Sequence, residues 1–238
     1  MKMKYFFAAI LGIAMISCSA VSDFDESDVK NETRDFYVTS FSRLDLGGPF
    51  NVILKQGDSE KVVIDAPVSV LEKIEVMNTN STLKIDFNEG FNHSRNRKIN
   101  VYVTLRSVNY IKMGSAGNVE TRNTLALDTL TIENNRTGNM QLDLGCKIVN
   151  LNSKSTGNTT LSGNANSAVY NWSGVGNFDA WNLKVEYLKV NNSGVGNTDV
   201  FASKELYLVA SGIGNVTYGG GAQIKKLETS GIGNVSRR

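Results

Sequence analysis

The stretch that decides the fold is a glycine-rich motif found four times: SGVGNF at 173–178, SGVGNT at 193–198, SGIGNV at 211–216 and SGIGNV at 230–235. Aligning the chain on the Asn of each Gly-Asn pair gives seven repeats, spaced 18 to 21 residues apart. The aligned residues are Asn118, Asn139, Asn158, Asn177, Asn197, Asn215 and Asn234. Self-similarity at a near-constant period indicates a repeat architecture with one supersecondary unit per period.

Each repeat has the alternating pattern of a half-buried strand before the glycine motif. The residue seven positions before the Asn is apolar in every repeat, and its neighbour is largely polar or amphipathic. The apolar positions are Ile111, Ile132, Leu151, Tyr170, Val190, Leu208 and Leu227. Residues around the motif are mostly small or β-branched, which predicts a second strand. The remaining segment, such as NLKVE at 182–186 or ASKE at 202–205, predicts a turn-rich third side.

These patterns predict an all-β parallel β-helix with coils of about 19 residues. Helical periodicity appears only marginally, in VSVLEKIEV at 68–76. Gly and Asn tolerate positive φ, so the motif is expected to form a sharp corner. Asn residues in register are expected to stack as a ladder of side-chain amides. Residues 36–113 are less regular and are predicted to form the opening coils and a cap.

The N-terminus predicts export and lipid anchoring. Residues 1–17, MKMKYFFAAILGIAMIS, join two lysines to an apolar run too short for a transmembrane helix, which is typical of a signal peptide. Cys18 follows in a pattern that resembles a bacterial lipobox, so we expect it to be lipidated; the alternative is an ordinary cleavage site with Cys18 incidental. Residues 18–35 are acidic with few large apolar side chains, which predicts a flexible tether before the domain at 36–238.

The charge balance argues against nucleic acid and anionic lipid as partners. The full chain has 25 basic and 23 acidic residues, and loss of Lys2 and Lys4 with the signal peptide makes it formally neutral. Basic residues do not cluster with aromatic ones. Once Cys18 is lipidated, Cys146 has no partner within the chain, so we expect it to be a small core residue.

No metal ion or cofactor is predicted. Calcium-binding β-roll repeats need Asp in a nine-residue period, whereas this period is about nineteen and its loop residue is Asn. A phosphate-binding loop opens a helix, but this motif opens a strand. His93 is the only histidine, and one histidine does not form a metal cage.

Two residues after the aligned Asn, Asp179 and Asp199 are expected to be neighbours about 5 Å apart on successive coils. Such a pair could act as acid and base, as in polysaccharide-cleaving β-helices. The positions next to them in the repeat register are Thr160 and Thr217, and no histidine is near, so a structural role is favoured. Trp172 and Trp181 flank one coil and are candidates for stacking on a sugar or for packing; packing is favoured for Trp172.

Several segments together resemble the putative auto-transporter adhesin, head GIN domain family, which is common among Bacteroidetes lipoproteins. They are the repeated SGxGN motif, FNVILKQG at 50–57, KVVIDA at 61–66, STLKIDF at 81–87 and VYVTL at 101–105 leading into IKMGSAGNV. Arg106 departs from the pattern, because members often have Pro there. The resemblance covers about residues 36–238 and implies a right-handed β-helix with a cell-surface role. It implies no catalytic or ligand residues.

The sequence therefore predicts a non-enzymatic outer-membrane lipoprotein, anchored through Cys18 and exposed at the cell surface, that presents a β-helix face for adhesion or recognition. A glycan or a surface protein is the expected partner. One alternative is a carbohydrate-active β-helix that uses Asp179, Asp199 and the nearby tryptophans. Another is a purely structural envelope protein.

Overall fold

A computed structural model describes residues 30–88 and 98–238. These residues form one 17-stranded sheet wound into a β-solenoid of about seven turns, roughly 19 residues apart. The predicted all-β, parallel β-helix class is therefore confirmed. Within the described ranges, no helix has the length and apolar character needed to cross a bilayer. The predicted signal peptide, Cys18 and His93 lie outside the described residues.

The first part of the chain mixes parallel coils with antiparallel pairs. Its elements are β1 (Asn31–Phe36), β2 (Arg43–Leu46), β3 (Asn51–Gln56), β4 (Lys61–Pro67), α1 (Val68–Leu71), β5 (Ile74–Thr79), β6 (Thr82–Phe87) and β7 (Asn100–Leu105). Strand β4 runs antiparallel to β1 and β7, and β5 and β6 form an antiparallel hairpin. The marginal helical segment forms only the single turn α1, directly after Pro67.

The tether predicted for residues 18–35 needs a correction at its end. Residues 31–36 form β1, which pairs with β4 along its whole length. A salt bridge of 2.7 Å from Lys61 to Asp35 adds to this pairing. Composition misses the strand because its side chains are largely exposed and its stabilisation comes from main-chain bonds to β4. The ordered domain therefore begins before residue 36.

The second part consists of stacked coils whose strands pair in parallel. Its strands are β8 (Tyr110–Met113), β9 (Val119–Thr121), β10 (Leu125–Asn134), β11 (Met140–Ser153), β12 (Thr159–Trp172), β13 (Phe178–Asn192), β14 (Thr198–Ala210), β15 (Val216–Gly219), β16 (Gln223–Thr229) and β17 (Val235–Arg237). The apolar positions predicted from the alignment, from Ile111 to Leu227, pair with one another in unbroken register. All of them are buried except Leu227 in the last coil. The predicted inward face is confirmed.

The predicted turn-rich third side is wrong. Residues 182–186 lie inside β13, and residues 202–205 lie inside β14. The coils differ in length, and the pairing of β13 with β14 accommodates this difference by two register shifts. One lies between Ala180 and Val185, and the other lies between Val185 and Tyr187. The polar composition of these segments suits a strand with one solvated face. The long strands β11 to β14 are therefore separated from one another only at the glycine motif.

The corner itself forms as predicted. The glycine before each aligned Asn has a φ between 111° and 138°. A Cβ atom on Gly176 would lie 2.4 Å from the carbonyl oxygen of Gly157 in the preceding coil. Only glycine fits both the conformation and the close approach.

The predicted asparagine ladder also forms, with a different donor. The main-chain N–H of each aligned Asn donates to Oδ1 of the Asn one coil earlier, at 2.9 to 3.2 Å, and Asn51 begins the series. Side-chain amides donate to one another in a second, shorter ladder at Asn152, Asn171 and Asn191, at 2.8 Å each. The main ladder thus joins the side chain of one coil to the backbone of the next.

Candidate functional site

A solvent-facing surface on the ends of β12, β13 and β14 is the candidate recognition site. Inward residues such as Leu188 alternate with outward ones, so the outward residues of neighbouring coils line up in rows. Two rows, here called the tyrosine face, comprise Ser167, Tyr187, Glu205 and Val169, Lys189, Tyr207. The face has a fixed shape because the strands beneath it pair continuously from Tyr187 to Asn192.

Two exposed tyrosines dominate this face. Tyr187 is 44% exposed and Tyr207 is 41% exposed. Tyr187 in β13 lies opposite Glu205 in β14. Tyr207 lies two residues beyond Glu205 in β14, so the two tyrosines are diagonal neighbours about 7–8 Å apart. The two rows, including both tyrosines, line a shallow cleft of about 360 Å³. Large aromatic surface and hydrogen-bonding groups meet in this cleft.

The charges around the cleft are largely paired. Lys204 Nζ lies 2.8 Å from Glu186 Oε2 and 5.4 Å from the centre of the Tyr187 ring. The hydrogen bond that Lys204 donates to Glu186 raises the pKa of Lys204. On the other rim, Lys225 Nζ lies 3.4 Å from Glu205 Oε1. Lys189, in the cleft itself, forms no ion pair with a described residue, and this single positive charge is too little to favour a polyanion over an uncharged ligand.

The expected packing role of Trp172 agrees with its position in the core. Its side chain is buried, and its ring stacks on Phe178 with centroids 5.2 Å apart and planes 12° apart. A Cβ atom on Gly194 would lie 2.5 Å from the indole, so the corner glycine makes room for this ring. Trp172 is not available to stack on a sugar.

Trp181 is half-buried, and its ring is occupied by contacts within the chain. It meets Phe201 edge-on at 6.1 Å between centroids, and the guanidinium of Arg238 lies 5.0 Å from its centre. Lys184 Nζ donates to the Trp181 carbonyl at 2.8 Å and lies 3.9 Å from the centre of the Phe201 ring. Neither aromatic ring belongs to the tyrosine cleft.

Asp179 and Asp199 lie side by side, as their spacing predicts, and are register partners in β13 and β14. Asp179 Oδ1 accepts a hydrogen bond from the main-chain N–H of Trp181 at 3.0 Å. Neither aspartate lines the tyrosine cleft. In residues 30–88 and 98–238, no group of three or more His, Cys, Asp and Glu side chains is placed to hold a metal ion.

Sequence reasoning missed the tyrosine pair. Tyr207 falls in the outward row of the repeat alignment, but Tyr187 precedes it by a full coil and belongs to another row. Their proximity depends on inter-coil register across a segment of variable length. The alternation of side chains along a strand could have identified both tyrosines as outward-facing. Each of them is adjacent to an inward leucine, Leu188 or Leu206, and so must face out.

The family model described as "Putative auto-transporter adhesin, head GIN domain" matches residues 40–222. The chain belongs to this family. The resemblance stated from the sequence motifs is thereby confirmed, and the chain is placed in an adhesin-like class. Among curated proteins, none matches this head GIN domain chain.

Solved structures share the head GIN domain fold over most of this chain. A putative adhesin from Bacteroides fragilis is 28% identical, with a TM-score of 0.84 over 88% of this chain and 97% of its own. A putative lipid binding protein from Parabacteroides distasonis is 18% identical, with a TM-score of 0.65 over 88% and 98%. A putative adhesin from Parabacteroides merdae is 16% identical, with a TM-score of 0.56 over 88% and 97%. The last two show similarity of fold alone.

Proposed function

We propose that this head GIN domain chain is a non-enzymatic recognition protein of the cell surface that binds a neutral glycan through the tyrosine cleft. The observation that carries the proposal is the diagonal pair Tyr187 and Tyr207, both more than 40% exposed on a continuously paired sheet. In the proposal, lipid on Cys18 anchors the chain to the outer membrane. The adhesin names of the family and of the B. fragilis structure support a surface role.

A sugar ring suits this cleft better than a charged ligand. Its apolar C–H face can stack on a tyrosine ring while its hydroxyls bond to side chains at the edge, such as Ser167, Lys189 and Glu205. Glu205 and Lys204 already have partners of opposite charge, so Lys189 supplies the one unpaired charge that the described residues bring to the cleft. The strands are fixed by main-chain pairing, so binding costs little ordering entropy.

Binding without cleavage fits the distribution of acids. Glycoside hydrolysis generally uses two carboxyl groups that flank the scissile bond. The cleft has one carboxylate, Glu205, and it is held by Lys225 at 3.4 Å. The neighbouring aspartates Asp179 and Asp199 lie outside the cleft.

The test is a glycan array probed with the purified protein, its Tyr187→Ala/Tyr207→Ala double variant and a Tyr37→Ala control. Tyr37 is 95% exposed and lies outside the cleft, so its loss controls for the removal of a surface tyrosine. We expect the wild type and the control to bind the same neutral glycans. The double variant should lose roughly tenfold or more in affinity, because two aromatic contacts are removed.

Each other outcome rejects a defined part of the proposal. Unchanged binding by the double variant would place recognition elsewhere on the solenoid. Shortened glycans in the reaction mixture would establish an enzyme. Binding to no glycan would favour a surface protein as partner or a structural role.

Lipid anchoring has its own test. Cells expressing the full chain are grown with an alkyne fatty acid, and the protein is compared with its Cys18→Ser variant. Wild-type protein should carry the label and sediment with outer membranes, whereas the variant should carry none. A label that persists in the variant would exclude Cys18 as the site.

A further inference from the structure

A buried guanidinium lies inside the corner between β10 and β11. Arg136 occupies the position that holds Ser155 in the next coil and the first glycine of the motif from Gly174 onward, and it is 2% exposed. Its Nη2 donates to the carbonyls of Phe50 at 3.0 Å and Ala116 at 2.9 Å. Its Nε and Nη1 have no hydrogen-bond partner. Much of this cation's hydrogen-bonding capacity is therefore unused in the interior.

The charge of Arg136 is not balanced by a carboxylate among the described residues. Burial lowers the pKa of Arg136 to about 10, which still leaves the group protonated at neutral pH. A buried charge without a counter-charge is strongly unfavourable. The interior around Arg136 therefore calls for an acceptor that carries negative charge.

Further donors gather at the same corner. Asn134 Oδ1 accepts a weak bond from the Arg136 main-chain N–H at 3.4 Å, while its Nδ2 has no partner. On the next coil, Ser153 lies beside Asn134, and its hydroxyl is 2.9 Å from that of Ser155. Thr159 Oγ1 is buried and unpartnered. All five side chains are buried, and all of them carry N–H or O–H groups.

Thr159 faces Ser153 across the corner. Two coils later, Asn192 occupies the position equivalent to Ser153, and Thr198 occupies the position equivalent to Thr159. In that later coil, Asn192 Nδ2 donates to Thr198 Oγ1 at 2.9 Å, which shows that side chains at these positions meet. By this equivalence Ser153 and Thr159 meet as well, and Ser153 is the register partner of Asn134, two residues before Arg136.

The side chains at this corner are small. On the following coil, the positions equivalent to Ser153 and Thr159 hold Trp172 and Phe178, whose rings stack on each other. Serine and threonine fill less of the interior after β11 than these two rings fill after β12.

We infer that a halide-sized monovalent anion, chloride in physiological solution, binds inside the solenoid at Arg136, Asn134, Ser153, Ser155 and Thr159. It accepts hydrogen bonds from the unpartnered N–H and O–H groups and balances the guanidinium charge. The site is structural, because it is enclosed between coils and has no connection to the tyrosine face. The corner after β10 thus uses an arginine and an anion where the corners from Gly174 onward have the first glycine of the motif.

The first experiment uses bromide as the probe, with the purified chain crystallised in sodium bromide and diffraction measured at the bromine absorption edge. We expect an anomalous peak within about 3.5 Å of the Arg136 guanidinium, at hydrogen-bonding range for a large anion. Density at that place without an anomalous signal would identify ordered water and overturn the proposal.

The second experiment measures thermal unfolding in sodium chloride and in sodium gluconate at equal ionic strength. For the wild type, the folded-to-unfolded ratio should rise about tenfold for each tenfold rise in chloride above the dissociation constant. Arg136→Met should lose this dependence, and Arg106→Met, which removes a half-exposed surface arginine, should keep it. An equal chloride dependence in Arg136→Met would refute the site.

A milder variant keeps the test decisive if Arg136→Met does not fold. Thr159→Val removes one hydroxyl at nearly constant volume and leaves the guanidinium in place. The chloride concentration at which its stability begins to rise should be higher than in the wild type. An unchanged onset would remove Thr159 from the site, and together with a missing bromide peak it would reject the anion.

Discussion

The main-chain N–H of Asn177 donates to Oδ1 of Asn158, one coil earlier, at 2.9 Å. Asn177 in turn accepts the N–H of Asn197 at 3.0 Å through its own Oδ1. Each side chain thus satisfies a main-chain donor of the following coil at the corner, where ladder pairing is reduced to single bridges. The asparagines therefore hold successive corners in register.

Replacing Asn177 by Ala should lower the free energy of unfolding by about 1 kcal/mol, because the N–H of Asn197 loses its acceptor and must bond to water. Asn177→Asp keeps an oxygen at the same place and should lose less. Urea titration followed by circular dichroism measures both. Equal losses in the two variants would show that the acceptor oxygen is not what matters.

Replacing Gly176 by Ala should destabilise the domain by roughly 3 kcal/mol or more. The new Cβ atom would lie 2.4 Å from the Gly157 oxygen, and φ is +132°. Gly221→Ala is the matched control, because Gly221 also has a positive φ of +79° but nothing lies within 4 Å of the point that a Cβ atom would occupy. The control should cost about 1–2 kcal/mol from backbone strain alone. Similar losses in both would rule out close coil contact as the reason for glycine.

Replacing Asp179 and Asp199 together by Asn should leave glycan binding unchanged and stability equal or slightly higher. Like charges on adjacent strands repel by up to about 1 kcal/mol, and an amide oxygen can still accept the Trp181 N–H. Thermal melts and the glycan array measure the two effects. Asp179→Ala, which deletes that acceptor, should be less stable than Asp179→Asn. Loss of glycan binding in the double variant would bring the aspartates into the site.

Cys146 should react slowly with thiol reagents in the folded protein. Its side chain is buried, and burial raises the pKa of its thiol to about 11, so little thiolate is present at pH 8. In a Cys18→Ser chain Cys146 is the only thiol. Its reaction with Ellman's reagent should be roughly a hundredfold slower, or more, than in denaturant. Comparable rates would show that the coil containing β11 opens readily.

The repeat part of the fold was predictable because its signals are local. Alternation fixes which residues face inward, and the recurrence of Asn177 and its equivalents fixes the corner. The antiparallel pairing of β1 with β4 was not predictable, because it joins two irregular segments without a repeat. The strand conformation of residues 182–186 was also missed, since polar composition does not separate a turn from a solvated strand.

The candidate sites depended on relationships that the alignment does not contain. Tyr187 and Tyr207 become neighbours only through the register between coils. Arg136 stands in a position that is serine in the next repeat and glycine from Gly174 onward, so its burial could not be deduced from residue type. The placement of Trp172 was better determined, because its row is continuous with inward strand residues.

The stacking of β10 to β14, in which each long strand pairs with the one before and the one after, has a mechanical consequence. Load applied along the solenoid axis passes through the coils in series, so the weakest junction yields first while the others stay folded. Each released coil of about 19 residues lengthens the chain by roughly 65 Å. A solenoid built in this way takes up a pulling force in successive unfolding steps, one coil at a time, rather than in a single event.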